Sequence, residues 1–145
     1  MRFKGKSALV CGAGGGIGLA TANQLLAAGI NVALADIKDQ PVDIANSAGQ
    51  ATYYQGDLSD EAFVSQLAAD VAAAQGGIDY LVNTTGVLWF DRDRSVLEMD
   101  MDTWDRVFQI NLKSFALSVR HVAAHMRTRG GGAMVHIASI DALRG

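Results

Sequence analysis

The sequence predicts an α/β fold, a doubly wound parallel sheet with helices packed on its faces. Short apolar runs alternate with helical patterns along the whole chain, as in successive βαβ units. The first run breaks on a glycine-dense turn, Cys11-Gly12-Ala13-Gly14-Gly15-Gly16-Ile17-Gly18, that opens a helix. Eighteen residues past Gly18 the second run stops at an acid, Asp36. With 145 residues and 50% hydrophobic content, residues 1–145 are expected to form one packed domain that binds a dinucleotide.

The strands are expected at residues 8–11, 31–35, 52–55, 78–82 and 134–138, in the order 3-2-1-4-5. The first helix covers 17–28 and Gly29 closes it. Pro41 suits the first turn of a short helix that Gly49 ends. Ser59 reads as the cap of the next helix, with Asp60 and Glu61 in its first turn and Phe63, Leu67 and Val71 recurring behind them. That helix ends near Gly76 and Gly77. The longest runs from about 102 to 127, with Trp104, Phe108, Phe115, Val119, Val122 and Met126 on one face. A second stripe, Ile110, Leu117 and Ala124, has no sheet left to cover it and predicts a partner surface.

Charge and cysteine content narrow the setting. A formal net charge of −3 leaves no basic footprint, so no nucleic-acid partner is expected. A single cysteine, Cys11, excludes an internal disulfide and fits a reducing compartment. The N-terminus has no apolar signal core, and no uncharged run is long enough to span a bilayer, so a cytoplasmic protein without a membrane partner is expected. Asp91, Asp93 and Ser95 imitate the start of a calcium loop, but Val96 takes the required glycine position. His121 and His125 stand four apart without a third ligand at metal spacing, so no metal site is expected.

The chemistry of the turn comes from what it lacks. Because the glycines carry no side chains, the backbone N–H groups of Gly12, Gly15, Gly16 and Gly18, with that of Ile17 between them, can approach a pyrophosphate, and the adjoining helix N-terminus adds partial positive charge. Asp36 is placed to accept hydrogen bonds from a ribose diol. Its carboxylate would also repel a 2′-phosphate by roughly a few kcal/mol, which favours NAD over NADP. Lys38 is near enough in sequence to soften that preference, although lysines in such positions are commonly solvated. A glycine turn with a later acid also serves adenosyl methyltransferases, but that pattern places an acid two residues before the first glycine, where this chain has Val10.

Taken together, the motifs resemble the short-chain dehydrogenase/reductase family. The family's T-G-x-x-x-G-x-G is matched by residues 11–18, with Gly12, Gly16 and Gly18 in register. Asp57 in Gly56-Asp57-Leu58 matches the acid that meets the adenine amino group, with the Leu58 amide beside it. Asn83-Thr84-Thr85-Gly86 matches the N-N-A-G segment after the fourth strand, placing Asn83 and Gly86 at the cofactor. Asn111 matches the helix asparagine of the catalytic tetrad, and Ser139 the serine at the end of the fifth strand.

The resemblance implies a Rossmann-type sheet and NAD(H)-dependent interconversion of a secondary alcohol and a ketone. It also implies that Ser139 holds the substrate oxygen, that Asn111 holds a water, and that the full-length protein is a homo-oligomer. The segment with Trp89 and Phe90 would border the substrate or cap the core. Cys11 replaces a threonine, and Thr84-Thr85 replaces smaller or amide residues in the adenosine pocket. The family's Tyr-x-x-x-Lys does not occur in the 145 residues. The chain therefore reads as an N-terminal, incomplete catalytic domain, truncated before the family's later strands and helices and inactive alone; a non-catalytic NAD-binding half is the alternative.

Overall fold

The computed structural model describes residues 3, 4 and 6–140. Its elements are β1 (Ser7–Cys11), α1 (Gly16–Ala27), β2 (Asn31–Asp36), β3 (Ala51–Gln55), α2 (Glu61–Gln75), β4 (Tyr80–Asn83), α3 (Met101–Phe108), a π-turn (Gln109–Lys113), α4 (Ser114–Thr128) and β5 (Ala133–His136). The five strands form one parallel sheet in the order β3-β2-β1-β4-β5, as the sequence predicts.

The central strands are apolar except at their ends because both faces are covered. On one face Leu9, Ala33 and Leu81 pack with Val64, Leu67 and Val71 of α2 and Leu117, Val122 and Met126 of α4. On the other, Ala8, Val10, Val32 and Leu34 pack with Ala22, Leu25 and Leu26 of α1. Residues alternate between these layers along β1, as the pleat requires. The first helix closes as predicted: Gly29 takes φ +80° while the Ile30 N–H donates to the Leu25 carbonyl.

Several expectations are corrected. Residues 41–49 form no helix. The side chain of Asn23 donates to the Asp43 carbonyl at 3.0 Å and accepts from the Ala45 N–H at 2.9 Å, so α1 takes the backbone groups that a helix turn would have used. The cap of α2 is Asp60, whose side chain accepts from the Ala62 N–H, and Ser59 is bonded elsewhere. The long helix is interrupted by the π-turn, which inserts a residue and so rotates α4 relative to α3 by about 100°. The face of α3 therefore does not continue along α4. Leu117, expected on the uncovered stripe, is core at 4% exposure, while Trp104 and Phe108 stand exposed with ring centroids 4.8 Å apart. Among the described residues no helix is long and apolar enough to cross a membrane.

One partly buried carboxylate fastens the far end of the sheet. Asp79 Oδ2 accepts from the N–H groups of Lys6 (2.7 Å) and Ser7 (3.1 Å), and Oδ1 accepts from Arg129 Nε (2.8 Å). Burial alone would raise its pKa, but these donors and the guanidinium charge outweigh it and hold the carboxyl below the usual carboxylate range. A depressed folded-state pKa contributes stability that is present above the unfolded value and lost as pH falls through the folded one. Asp79→Asn should thus lower the melting temperature at neutral pH and flatten the loss of stability below about pH 4, the usual carboxylate value. Thermal melts along an acid series check both.

Candidate functional site

At the C-terminal ends of the strands, Gly12, Asp36, Asp57, Leu58 and Gly86 line one cavity of about 200 Å³, large enough for a heteroaromatic ring. Arg106 of α3 and Ile110 of the π-turn close one side. A larger, wide-open hollow of about 850 Å³ among residues 40–52 is lined by no ionisable side chain.

The turn is shaped by two close approaches. Gly12, at φ +81°, lies so near β4 that a Cβ there would stand 2.6 Å from the Thr85 nitrogen. A Cβ at Gly18 would overlap the Gly12 carbonyl oxygen, so the third glycine lets α1 pack on the strand rather than facing a ligand. Thr84 fastens the contact: its hydroxyl lies 2.9 Å from the Cys11 carbonyl and 3.0 Å from that of Gly12. The Thr84 side chain thus ties β4 to the turn. Cys11 is buried, and its thiol is pushed up to about 12 by burial and then by the Asp36 charge, which leaves it inert.

Gly15 and Gly16 form the open side, where added Cβ atoms would meet nothing. No side chain caps α1 and no acid occupies its first turn. Its first N–H groups are thus left for an anion, and beside them Ile17 is 62% exposed. Asp36 closes over the turn, Oδ2 accepting from the Gly14 N–H at 2.8 Å and Oδ1 from the Lys38 N–H at 3.0 Å. A donor-rich cradle with a fixed carboxylate at its edge fits a dinucleotide.

Asp57 is held from two sides. Its Oδ1 accepts from the N–H and hydroxyl of Ser59, and its Oδ2 pairs with Arg106 at 2.7 Å. Burial would raise its pKa, but these hydrogen bonds and the Arg106 charge prevail and keep the carboxyl below its ordinary value. Sequence reasoning missed Arg106 because its partner lies 49 residues away, while the neighbouring Asp102 and Asp105 suggest only local pairing.

The remaining predicted residues are not gathered into the cavity. Asn83 is 1% exposed and its amide donates to Ser118 Oγ and His136 Nδ1, so its side chain joins β4 to α4 and β5. Asn111 sits in the π-turn and exchanges two hydrogen bonds with the Val87 backbone, at 2.8 and 2.9 Å. Ser139 is exposed, three residues beyond the end of β5 instead of directly at it. Phe90 is 85% exposed, and the Trp89 ring lies 5.4 Å from the Arg92 guanidinium; neither side chain caps the core.

Comparison with known proteins agrees with this geometry. The profile of the family described as short chain dehydrogenase matches residues 6–145. The cis-4-hydroxycyclohexanecarboxylate dehydrogenase of Sinomonas cyclohexanicum is 35% identical over 142 residues, covering 95% of this chain and 56% of that protein. Among solved structures, an NADH-dependent reductase complexed with NAD superposes with a TM-score of 0.86 at 28% identity, covering 98% of this chain and 63% of that one. A 3-ketoacyl-ACP reductase from Sinorhizobium meliloti gives 0.87 at 30% identity, covering 96% and 56%. The chain thus spans a little over half the length of these relatives. The match sets aside the adenosyl-methyltransferase reading.

Replacing Thr84 by the near-isosteric valine deletes the hydroxyl that ties β4 to the turn. Thr84→Val should destabilise the chain by about 1 kcal/mol, the typical effect of losing a partly buried hydrogen bond, measurable by urea denaturation.

Proposed function

The chain belongs to the short-chain dehydrogenase family, and from that membership we propose that it holds NAD(H) for oxidoreduction of a small secondary alcohol or ketone. The observation that carries this reading is the open glycine cradle with the Asp36 carboxylate bonded across it at 2.8 Å. The cofactor, when bound, supplies or accepts the hydride. The N–H groups of Gly15, Gly16 and Ile17 receive the pyrophosphate, Asp36 accepts from the ribose diol, and Asp57 with the Leu58 amide meets the adenine. Gly86 leaves room at the cavity wall, where Asn111 anchors the adjoining loop through Val87.

The preference for NAD over NADP rests on Asp36. Like charges about 4 Å apart repel by about 1 kcal/mol in water and about 4 kcal/mol at the effective dielectric of a protein surface. The relative complexed with NAD supports the same choice. We assign Ser139 to the substrate oxygen, where a hydroxyl donor stabilises developing charge. The 145 residues contain no Tyr-x-x-x-Lys, so we assign them cofactor binding and substrate placement rather than proton transfer. The exposed ridge of Trp104, Phe108 and Leu112 is the surface we assign to homo-oligomer contact. A cytoplasmic setting accords with the single free, buried Cys11.

Asp36→Ala should weaken NADH binding and lower the NADH-to-NADPH affinity ratio about tenfold or more, since it removes both an acceptor and a repulsive charge. Fluorescence titration with each cofactor measures it, and an unchanged ratio refutes the assignment. Gly16→Val should abolish NADH binding, because it places a branched side chain in the open space kept for the pyrophosphate. Gly16 takes φ +51°, so circular dichroism must first show that the variant is folded.

A further inference from the structure

We propose that Gly14 is a positioning residue for cofactor choice: its missing side chain lets the Asp36 carboxylate rest on the turn, and one added methyl lifts the carboxylate off and relaxes the preference for NAD over NADP. The inference deepens the proposed function and rests on Asp36 meeting the adenosine ribose.

The three glycines in register with the motif are explained by the turn itself. Gly12 and Gly16 take left-handed backbone angles, and Gly18 packs on the Gly12 carbonyl. Gly14 is not among them, and its φ lies outside the left-handed region, so the backbone makes no demand for glycine there. What occupies the place of its side chain is Asp36. A Cβ on Gly14 would stand 2.6 Å from Asp36 Cγ and 2.9 Å from each carboxyl oxygen, and these are its three nearest atoms.

That seat orients the carboxylate. Oδ2 accepts from the Gly14 N–H at 2.8 Å and Oδ1 from the Lys38 N–H at 3.0 Å. A carboxylate offers about four lone-pair sites, so one stays open on each oxygen, a pair that suits the two hydroxyls of a ribose diol. Held at both oxygens, the charge cannot turn aside from a 2′-phosphate without giving up a backbone bond.

A methyl at position 14 removes the seat. The atoms it meets are the far end of a side chain and not backbone, so the carboxylate yields while the turn keeps its shape. It then loses the Gly14 N–H and moves outward, where its repulsion of a phosphate falls with distance and with the higher dielectric of water. Lys38 lines the same cavity and remains to receive a 2′-phosphate.

The test titrates NADH and NADPH by fluorescence against the wild-type chain, Gly14→Ala, Asp36→Ala and the double variant, with thermal melts as the fold check. Gly14→Ala should lower the NADH-to-NADPH affinity ratio about threefold or more, and by less than Asp36→Ala does. With Asp36 already replaced, the same methyl should leave the ratio unchanged, because position 14 acts only through the carboxylate. A Gly14→Ala variant that keeps the wild-type ratio, whether it weakens both cofactors alike or neither, overturns the inference. So does an equal fall of the ratio in the Asp36→Ala background, which would mean a direct clash with the ligand. Failure of Gly14→Ala to fold overturns it as well, because the carboxylate then does not give way. No binding of NADH by the wild type would instead overturn the proposed function itself.

Discussion

The site depends on how closely the glycine turn can lie against the ends of β1 and β4. The Gly12 carbonyl is met by Gly18 from one side and by the Thr84 hydroxyl from another. Neither approach tolerates an extra carbon, because the gap is already at contact distance. Once the turn is pressed down in this way, its opposite face, Gly15 and Gly16, is left clear, and the N-terminus of α1 faces that clearing. Asp36, at the end of β2, reaches the Gly14 N–H only because β2 lies beside β1 in register, Cys11 opposite Ala35. Packing and ligand chemistry here are two faces of one constraint.

The π-turn is the second organising feature. A regular helix from α3 into α4 would carry one apolar face along its whole length. The inserted residue separates the two halves: α4 turns Leu117, Val122 and Met126 into the core, while α3 leaves Trp104 and Phe108 outside and turns Arg106 toward Asp57. Asn111, within the turn, spans the gap to Val87 with both ends of its amide. A π-turn weakens local helix geometry, so its presence beside the cavity fits a segment shaped by tertiary contacts more than by helix propensity.

The polar groups at the two ends of the sheet do different work. At the N-terminal end Asp79, Arg129 and the Lys6 and Ser7 amides fasten β1, β4 and the end of α4. At the C-terminal end Asp36 and Asp57 also accept backbone N–H bonds, yet they line an open cavity and retain acceptor capacity. Carboxylates that keep lone pairs free at the edge of a cradle are suited to a ligand, and those consumed by the chain are suited to the fold.

The sequence by itself determined the positions of the strands, the glycine turn, the acid ending β2 and the helix closed by Gly29, because each depends on local apolar period or on residues whose backbone preferences act within a few positions; the strand order followed from the doubly wound pattern those elements make together. Tertiary structure decided the rest. Residues 41–49 lost their expected helix to Asn23, which lies about twenty residues away in the chain, and Ser59 gave up its cap to join Asp57 and Arg106. Asn83 was drawn into the interior by Ser118 and His136, and Leu117 was rotated into the core by the π-turn. In each case the competing partner is distant in sequence, so its hydrogen bond or contact exists only after the sheet has formed, and no local pattern records it.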